Sequence, residues 1–298
     1  MSQPAISREA LEAAPGRLEF GIAGRGSLRW AAADLGPLLE AARLRLDLSP
    51  VAAGALGDSL TAAALLLQFS SKSPTRLVLD IRGDGPLKKI VTEVDELGNL
   101  RGMVGEPRAD VPVEVGPSAE LPIGAAFGNG FLRVLREVRG VSHQSVVQLG
   151  AGRLALDVAH YLEQSEQRRS AVLLGVLAKP EGIAAAGGML VEHLPGTPEN
   201  ALWAVEQNVL GLREVSRVLE SGGLPGLVAE VLNGLDVQES GAKALHYRCR
   251  CARERLREQL ALLTWSDREH LRHEDGSTEA ECAFCGTVYR FERQELEN

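Results

Sequence analysis

The stretch PVAAGALGDSLTAAALLLQF, Pro50–Phe69, decides how this chain folds, because it is either a membrane span or the middle of a core. A span needs about eighteen or more consecutive apolar residues. Asp58, Ser59, Thr61 and Gln68 interrupt the run, and its best part, Leu60–Phe69, is too short. The stretch therefore predicts a central core helix. With 298 residues the chain can build one large domain and a small one. Aromatic residues are only 4% of it, so that core must rest on Leu, Val, Ile and Ala.

Working outward, Arg17–Ala23 and Ser27–Ala33 read as strands around the Gly24-Arg25-Gly26 turn, and Pro37–Leu46 as a helix. After the central helix, Thr75–Ile81 alternates as a strand and Gly83-Asp84-Gly85-Pro86 punctuates. Lys88–Val94 reads as a strand or a short helix, and a further strand runs from Leu100 to Val104 after the Gly98-Asn99 turn. Phe131–Val138 and Gln144–Leu149 form a strand pair around a loop at Arg139–His143. Leu154–Gln167 is helical, and Ala171–Ala178 and Gly188–Glu192 return to strand. The mixture lacks a regular βαβ alternation, which makes residues 1–194 an α+β domain.

The pattern changes at Leu194-Pro195-Gly196-Thr197-Pro198. Leu202, Val205, Val209 and Leu212 recur at helical spacing, Val215, Val218 and Leu219 continue the stripe, and Gly222-Gly223-Leu224-Pro225 breaks it. Leu227, Val228, Val231 and Leu232 begin a second helix. Residues 195–245 thus form an amphipathic helical linker packed on the α+β domain, and residues 246–298 a small terminal domain.

That small domain holds all four cysteines, as Cys249-Arg250-Cys251 and Cys282-Ala283-Phe284-Cys285, with the gap running from Ala252 to Glu281. Two close pairs separated by a short helical excursion suit one tetrahedral zinc, held by four thiolates at roughly 2.3 Å with the sulfurs roughly 4 Å apart. Four protein ligands leave no position for catalytic water, so such a metal is structural or regulatory. Zinc-bound thiolates are also the reactive form of cysteine. His246, His270 and His273 lie nearby but are superfluous as ligands. Ala252–Leu263 reads as a helix, Ser266-Asp267-Arg268-Glu269 carries a capping-box pattern for another, and Thr287–Phe291 makes a short strand. So small a domain has almost no core of its own, and metal binding supplies most of its folding energy.

At this point the sequence resembles the heat shock protein 33 family of redox-regulated chaperones. Tyr247-Arg248-Cys249-Arg250-Cys251-Ala252-Arg253-Glu254-Arg255 and Glu281-Cys282-Ala283-Phe284-Cys285-Gly286, with Tyr289 and Phe291, are similar to its cysteine segments. Gly83-Asp84-Gly85-Pro86, Gly128-Asn129-Gly130, Tyr161–Gln167 and Ala186-Gly187-Gly188-Met189-Leu190 look like its landmarks in order. The resemblance implies a holdase that works without ATP, inactive while Cys249, Cys251, Cys282 and Cys285 bind zinc. Oxidation then forms Cys249–Cys251 and Cys282–Cys285 disulfides, zinc is released, and the terminal domain and linker unfold. Unfolding client proteins are bound, with a homodimer favoured in the oxidised state. The stripe Leu202, Val205, Val209 and Leu212, taken to lie beside the zinc domain, is the expected client surface.

Other classes fit less well. A static zinc knuckle that binds protein or nucleic acid shares the cysteine spacing, and Arg248, Arg250, Arg253, Arg255 and Arg257 cluster beside the first pair. Glu254 and Glu258 interleave with them, however, and the net charge is −8, so a solvated charged face is expected and no nucleic-acid partner. A thiol oxidoreductase would set its C-x-x-C at a helix start in a βαβ unit. No P-loop, dinucleotide fingerprint or G-x-S-x-G occurs, and no enzymatic activity is expected. Arg8, Glu9 and Glu12 fall where a secretory leader would be apolar, so the expected location is the cytoplasm, with no membrane association.

Overall fold

The long apolar helix is started by Ser49, whose side chain accepts the Ala52 N–H at 3.1 Å, and by Pro50 in the first turn. The computed structural model describes residues 5–70, 74–111, 121, 123–150 and 152–296. Its elements begin with α1 (Arg8–Ala13), β1 (Pro15–Ala23), β2 (Leu28–Asp34), α2 (Gly36–Leu46) and α3 (Pro50–Phe69). A meander comes next, of β3 (Arg76–Gly83), β4 (Lys89–Asp95) and β5 (Asn99–Val104), then α4 (Ile123–Phe127). After it run β6 (Gly130–Val138), β7 (Val141–Leu149), α5 (Leu154–Glu166), β8 (Ser170–Lys179) and β9 (Gly182–His193). Beyond these lie α6 (Glu199–Gly211), α7 (Val215–Val231) and β10 (Val237–Tyr247). The terminal part holds α8 (Arg253–Ala261), α9 (Trp265–His270), β11 (Thr278–Glu281), β12 (Val288–Phe291) and α10 (Arg293–Leu296).

Among the described residues ten strands make one sheet, in the order β7-β6-β3-β4-β5-β10-β1-β2-β9-β8. Helix α3 lies on one face and packs on strands from both halves, including β4, β5, β8 and β9. Its apolarity is spent there: 89% of its most hydrophobic window is buried inside the protein. Gly57 permits the close approach, since a Cβ there would stand 2.5 Å from Leu39 and 2.7 Å from Val176. The α+β expectation holds.

Strand β2 shows the period-2 logic of a sheet covered on both faces. Ala31 and Ala33 point into the core around α3, whereas Leu28, Trp30 and Ala32 point to the opposite face. There, with Met189 and Val191 of β9, they bury Val205, Val218, Leu219, Leu227 and Val231 of α6 and α7.

One open choice between strand and helix resolves to strand, and several other elements differ from the sequence reading. Lys89–Asp95 is a strand, paired with both β3 and β5. The β6–β7 loop shrinks to Arg139-Gly140, both with positive φ (51° and 77°), the two-residue turn that suits strand twist. The first linker helix ends at Gly211 rather than at Gly222, and Gly222–Pro225 is a kink within α7, with Gly223 at φ 60° and ψ −160°. The linker is not helical to residue 245: Val237–Tyr247 is strand β10, antiparallel to β1 along its length and parallel to β5 only at His246 and Tyr247. This strand joins the two halves of the sheet. In the terminal part the helix cap is Thr264 rather than Ser266, with Asp267 completing the reciprocal contact.

Candidate metal centre

Strand β10 enters the core only at its end, where Leu245 and Tyr247 are buried. Tyr247 then anchors the cysteine segment beyond it. Its hydroxyl accepts the Gly102 N–H at 3.2 Å and shares its proton between the carbonyls of Gly102, at 2.8 Å, and Phe284. Arg248 N–H donates to Leu100 O at 2.8 Å, so the sheet delivers Cys249 and Cys251 in fixed register. The second pair sits in the turn between β11 and β12. Cys282 N–H donates to Thr287 O at 2.9 Å, and Gly286 N–H returns to Cys282 O at 2.7 Å. Gly286 has φ +60°, a conformation that costs a side-chain-bearing residue but not glycine.

These two segments bring the sulfurs of Cys249, Cys251, Cys282 and Cys285 within 4.8 Å of one another. Close contacts run across the pairs, Cys249 to Cys282 at 3.6 Å and Cys251 to Cys285 at 3.5 Å. A tetrahedron of ligands roughly 2.3 Å from zinc has edges of roughly 3.8 Å, so the donor set and its spacing suit that ion. Like charges this close repel, and four thiolates require a cation among them. Cys285 accepts most of the hydrogen bonding within the group. Hydrogen bonds from Cys249 and Cys282, helped by Thr287, push it far below the ordinary thiol value against the opposing effect of burial. Cys249 moves the other way, through its hydrogen bonds with Cys282 and Cys285 and then through burial. Cys285, Cys249 and Cys282 are buried, and Cys251 is half-exposed.

Two of the nearby histidines have contacts of their own. His270 Nδ1 is 2.7 Å from Ser266 O, His273 faces Glu279, and the four-cysteine group includes no histidine.

The surroundings of the cluster are invisible in the sequence. Arg8, which there bears only on the question of a secretory leader, donates to Cys249 O at 2.7 Å and lies 3.6 Å from the Cys251 sulfur. Arg45 donates to Cys285 O at 2.7 Å and Gly286 O at 2.9 Å. Arg101 stacks on the Phe284 ring at 4.3 Å. The arginine cluster is not simply a solvated face: Arg248 pairs with Glu12, Arg250 with Glu93 and Arg253 with Glu295. None of these contacts leaves a local signal, because each partner lies tens to hundreds of residues away.

The stripe residues sit elsewhere. Val205 is buried against β2 and β9, while Leu202, Val209 and Leu212 are half-buried. The main contacts of α6 and α7 are with each other and with β2, β8 and β9, so the expected packing beside the cysteines gives way to a connection through β10. Trp203 and Leu210, on the outer side of α6, are 63% and 79% exposed.

A bridged α+β sheet whose last strand feeds a four-cysteine clasp defines a protein with a small module, able to hold a metal ion, docked on a sheet domain. Comparison with known proteins gives that class a family. The chain belongs to the Hsp33 family, whose pattern, described as Hsp33 protein, matches residues 17–292. A 33 kDa chaperonin of Thermus thermophilus is 42% identical over 293 residues, covering 94% of this chain and 85% of its own. That of Symbiobacterium thermophilum is 40% identical over 279 residues, covering 92% and 94%. The crystal structure of the 33 kDa chaperonin (heat shock protein 33 homolog) from Thermotoga maritima superposes with a TM-score of 0.85. It is 28% identical and covers 94% of this chain and 96% of that one.

Proposed function

We propose that this chaperone is an ATP-independent, redox-regulated holdase of the cytoplasm, not an enzyme. Its switch is the Cys249, Cys251, Cys282 and Cys285 cluster holding zinc. The observation that carries this reading is the convergence of four sulfurs at metal-ligand spacing, 4.8 Å at most, at the end of the strand that joins the sheet halves. When bound, zinc keeps four adjacent cysteines as thiolates and clamps the two segments together.

Each pair of thiolates gives two electrons to one peroxide. An S–S bond forms, the O–O bond breaks, and two protons complete two waters. The proposed disulfides are Cys249–Cys251 and Cys282–Cys285, although close sulfur contacts also run across the pairs. Cross-paired bonds would staple the segments together, whereas local bonds consume the ligands and let the segments part. The module and linker then unfold, and oxidised chains that hold unfolding clients favour a homodimer.

The test is zinc content, disulfide mapping and aggregation suppression on one sample, before and after peroxide at mildly raised temperature. One zinc per reduced chain, lost as local disulfides and holdase activity appear and regained with thiol reductant plus zinc, is the expected result. Zinc retained through oxidation with unchanged aggregation suppression would identify a static knuckle instead.

The stripe gives a separate prediction for the client surface. Val205→Glu with Val209→Glu should weaken client binding by the oxidised protein. Because Val205 is 1% exposed, the same change should also loosen α6 in the reduced protein by roughly 2 kcal/mol or more. Wild-type holdase activity in the oxidised variant would remove the stripe from the client surface.

A further inference from the structure

Two arginines from the N-terminal domain grip the main chain of the two cysteine segments, one each. Arg8, on α1, donates through Nη2 to Cys249 O at 2.7 Å. Arg45, in the last turn of α2, donates through Nε to Cys285 O at 2.7 Å, through Nη2 to Gly286 O at 2.9 Å, and through Nη1 to Ile6 O at 3.1 Å. A guanidinium presents its donors in a rigid plane, so these acceptors must hold one geometry to be satisfied together. The Gly286 turn also lies against α2, where a Cβ would stand 3.3 Å from Arg45 O. Ile6 O adds the chain just before α1, so one side chain ties the second segment to both that stretch and α2.

Those carbonyls face the arginines because the cysteine turns are folded around a common centre. Cys285 N–H and Gly286 N–H both return to Cys282 O, and a turn that re-forms around a Cys282–Cys285 bond changes the direction of the carbonyls beyond it. We propose that Arg8 and Arg45 form a latch that couples the ligation state of the cysteines to docking of the terminal module on the N-terminal domain. They are positioning residues, and the latch sets how much oxidant or heat is needed to release the module. This inference rests on the redox reading for its consequence, but the docking itself does not.

The test uses the full-length, reduced, metal-loaded protein and the variants Arg45→Ala and Arg45→Lys. The first readout is the charge-transfer spectrum of the cobalt-substituted protein, which reports the four-thiolate site alone and should be the same in all three. The second is amide hydrogen exchange over Gly286–Phe291 and Arg253–Ala261, which reports docking. Exchange there should be about tenfold faster in Arg45→Ala, and intermediate in Arg45→Lys, which keeps a charge but loses the planar fork. Metal release at fixed peroxide should accelerate in the same order. Equal exchange in wild type and Arg45→Ala with an unchanged cobalt spectrum would overturn the latch. An altered cobalt spectrum in Arg45→Lys would also overturn it, by making Arg45 part of ligation rather than docking. If the wild type loses zinc without gaining holdase activity, the redox reading fails, while the exchange result still decides the latch.

Discussion

Reduced protein carrying Cys285→Ser should bind no zinc after dialysis and should suppress aggregation of an unfolding client without any oxidant. Cys285 is the one cysteine with no exposure, and it contacts the Cys251 sulfur at 3.5 Å and the Thr287 hydroxyl at 3.2 Å. A hydroxyl in its place is a poor zinc ligand, and three thiolates leave the shell open. The remaining support for the module is thin. Its own core consists of Leu260, Phe291 and Leu296, with Leu256, Ala280 and Tyr289 packed around them. Burying three such side chains yields about 1.5–3 kcal/mol each before any chain entropy is charged. A structural zinc supplies on the order of 10 kcal/mol, so its loss outweighs that core. The sheet domain, with its separate core around α3, should stay folded. Metal content, limited proteolysis of residues 253–296 and light scattering on one preparation check this. A variant that is metal-free, protease-resistant and inactive would show that the module folds without its metal and would break the link between ligation and activity.

That link passes through elements of very different legibility. Pro50–Phe69 is plain in the sequence because Ala, Leu and Val outnumber its few polar residues on every side, as befits a helix buried along nearly its whole length. The four cysteines are plain because ligand chemistry restricts spacing as well as residue type. Strand β10 is hidden for a physical reason: residues 237–240, 242 and 244 are exposed, so no apolar alternation marks it. It is held by its backbone pairing to β1 rather than by side-chain burial. The break at Leu212–Glu214 is hidden for the opposite reason, since the apolar stripe keeps helical spacing straight across it. The clasp around the cysteines leaves no mark because Arg8 and Arg45 are separated from their partners by about 240 residues of chain.

Replacing Glu93 by Leu should cost about 3–5 kcal/mol of stability at neutral pH, the largest effect expected from any charge in the domain. Glu93 lies on β4, 6% exposed, and three arginines converge on it. Arg76 reaches it at 2.6 Å from β3, Arg101 at 2.8 Å from β5, and Arg250 at 2.8 Å from between the first two cysteines. Burial alone would raise its pKa, but Arg101 and Arg76 more than reverse this and hold the carboxyl below its ordinary value. A depressed carboxyl pKa stabilises the folded state above the unfolded value of about 4.5, and that stability is lost as pH falls through the lower folded value. Urea unfolding of wild type and Glu93→Gln should therefore differ most at neutral pH and converge in acid. A gap that stayed constant with pH would assign the loss to packing rather than charge. Arg250 makes the same carboxylate matter to the cysteines. Once Glu93 is neutral, the residue between Cys249 and Cys251 loses its ion pair to the sheet, and the module loses one of its anchors while its ligands remain intact. Glu93→Gln should thus release metal at a lower peroxide concentration than wild type at pH 7, a difference that chelator-coupled absorbance reads directly. An unchanged release curve in a measurably destabilised variant would place Arg250 outside the clasp.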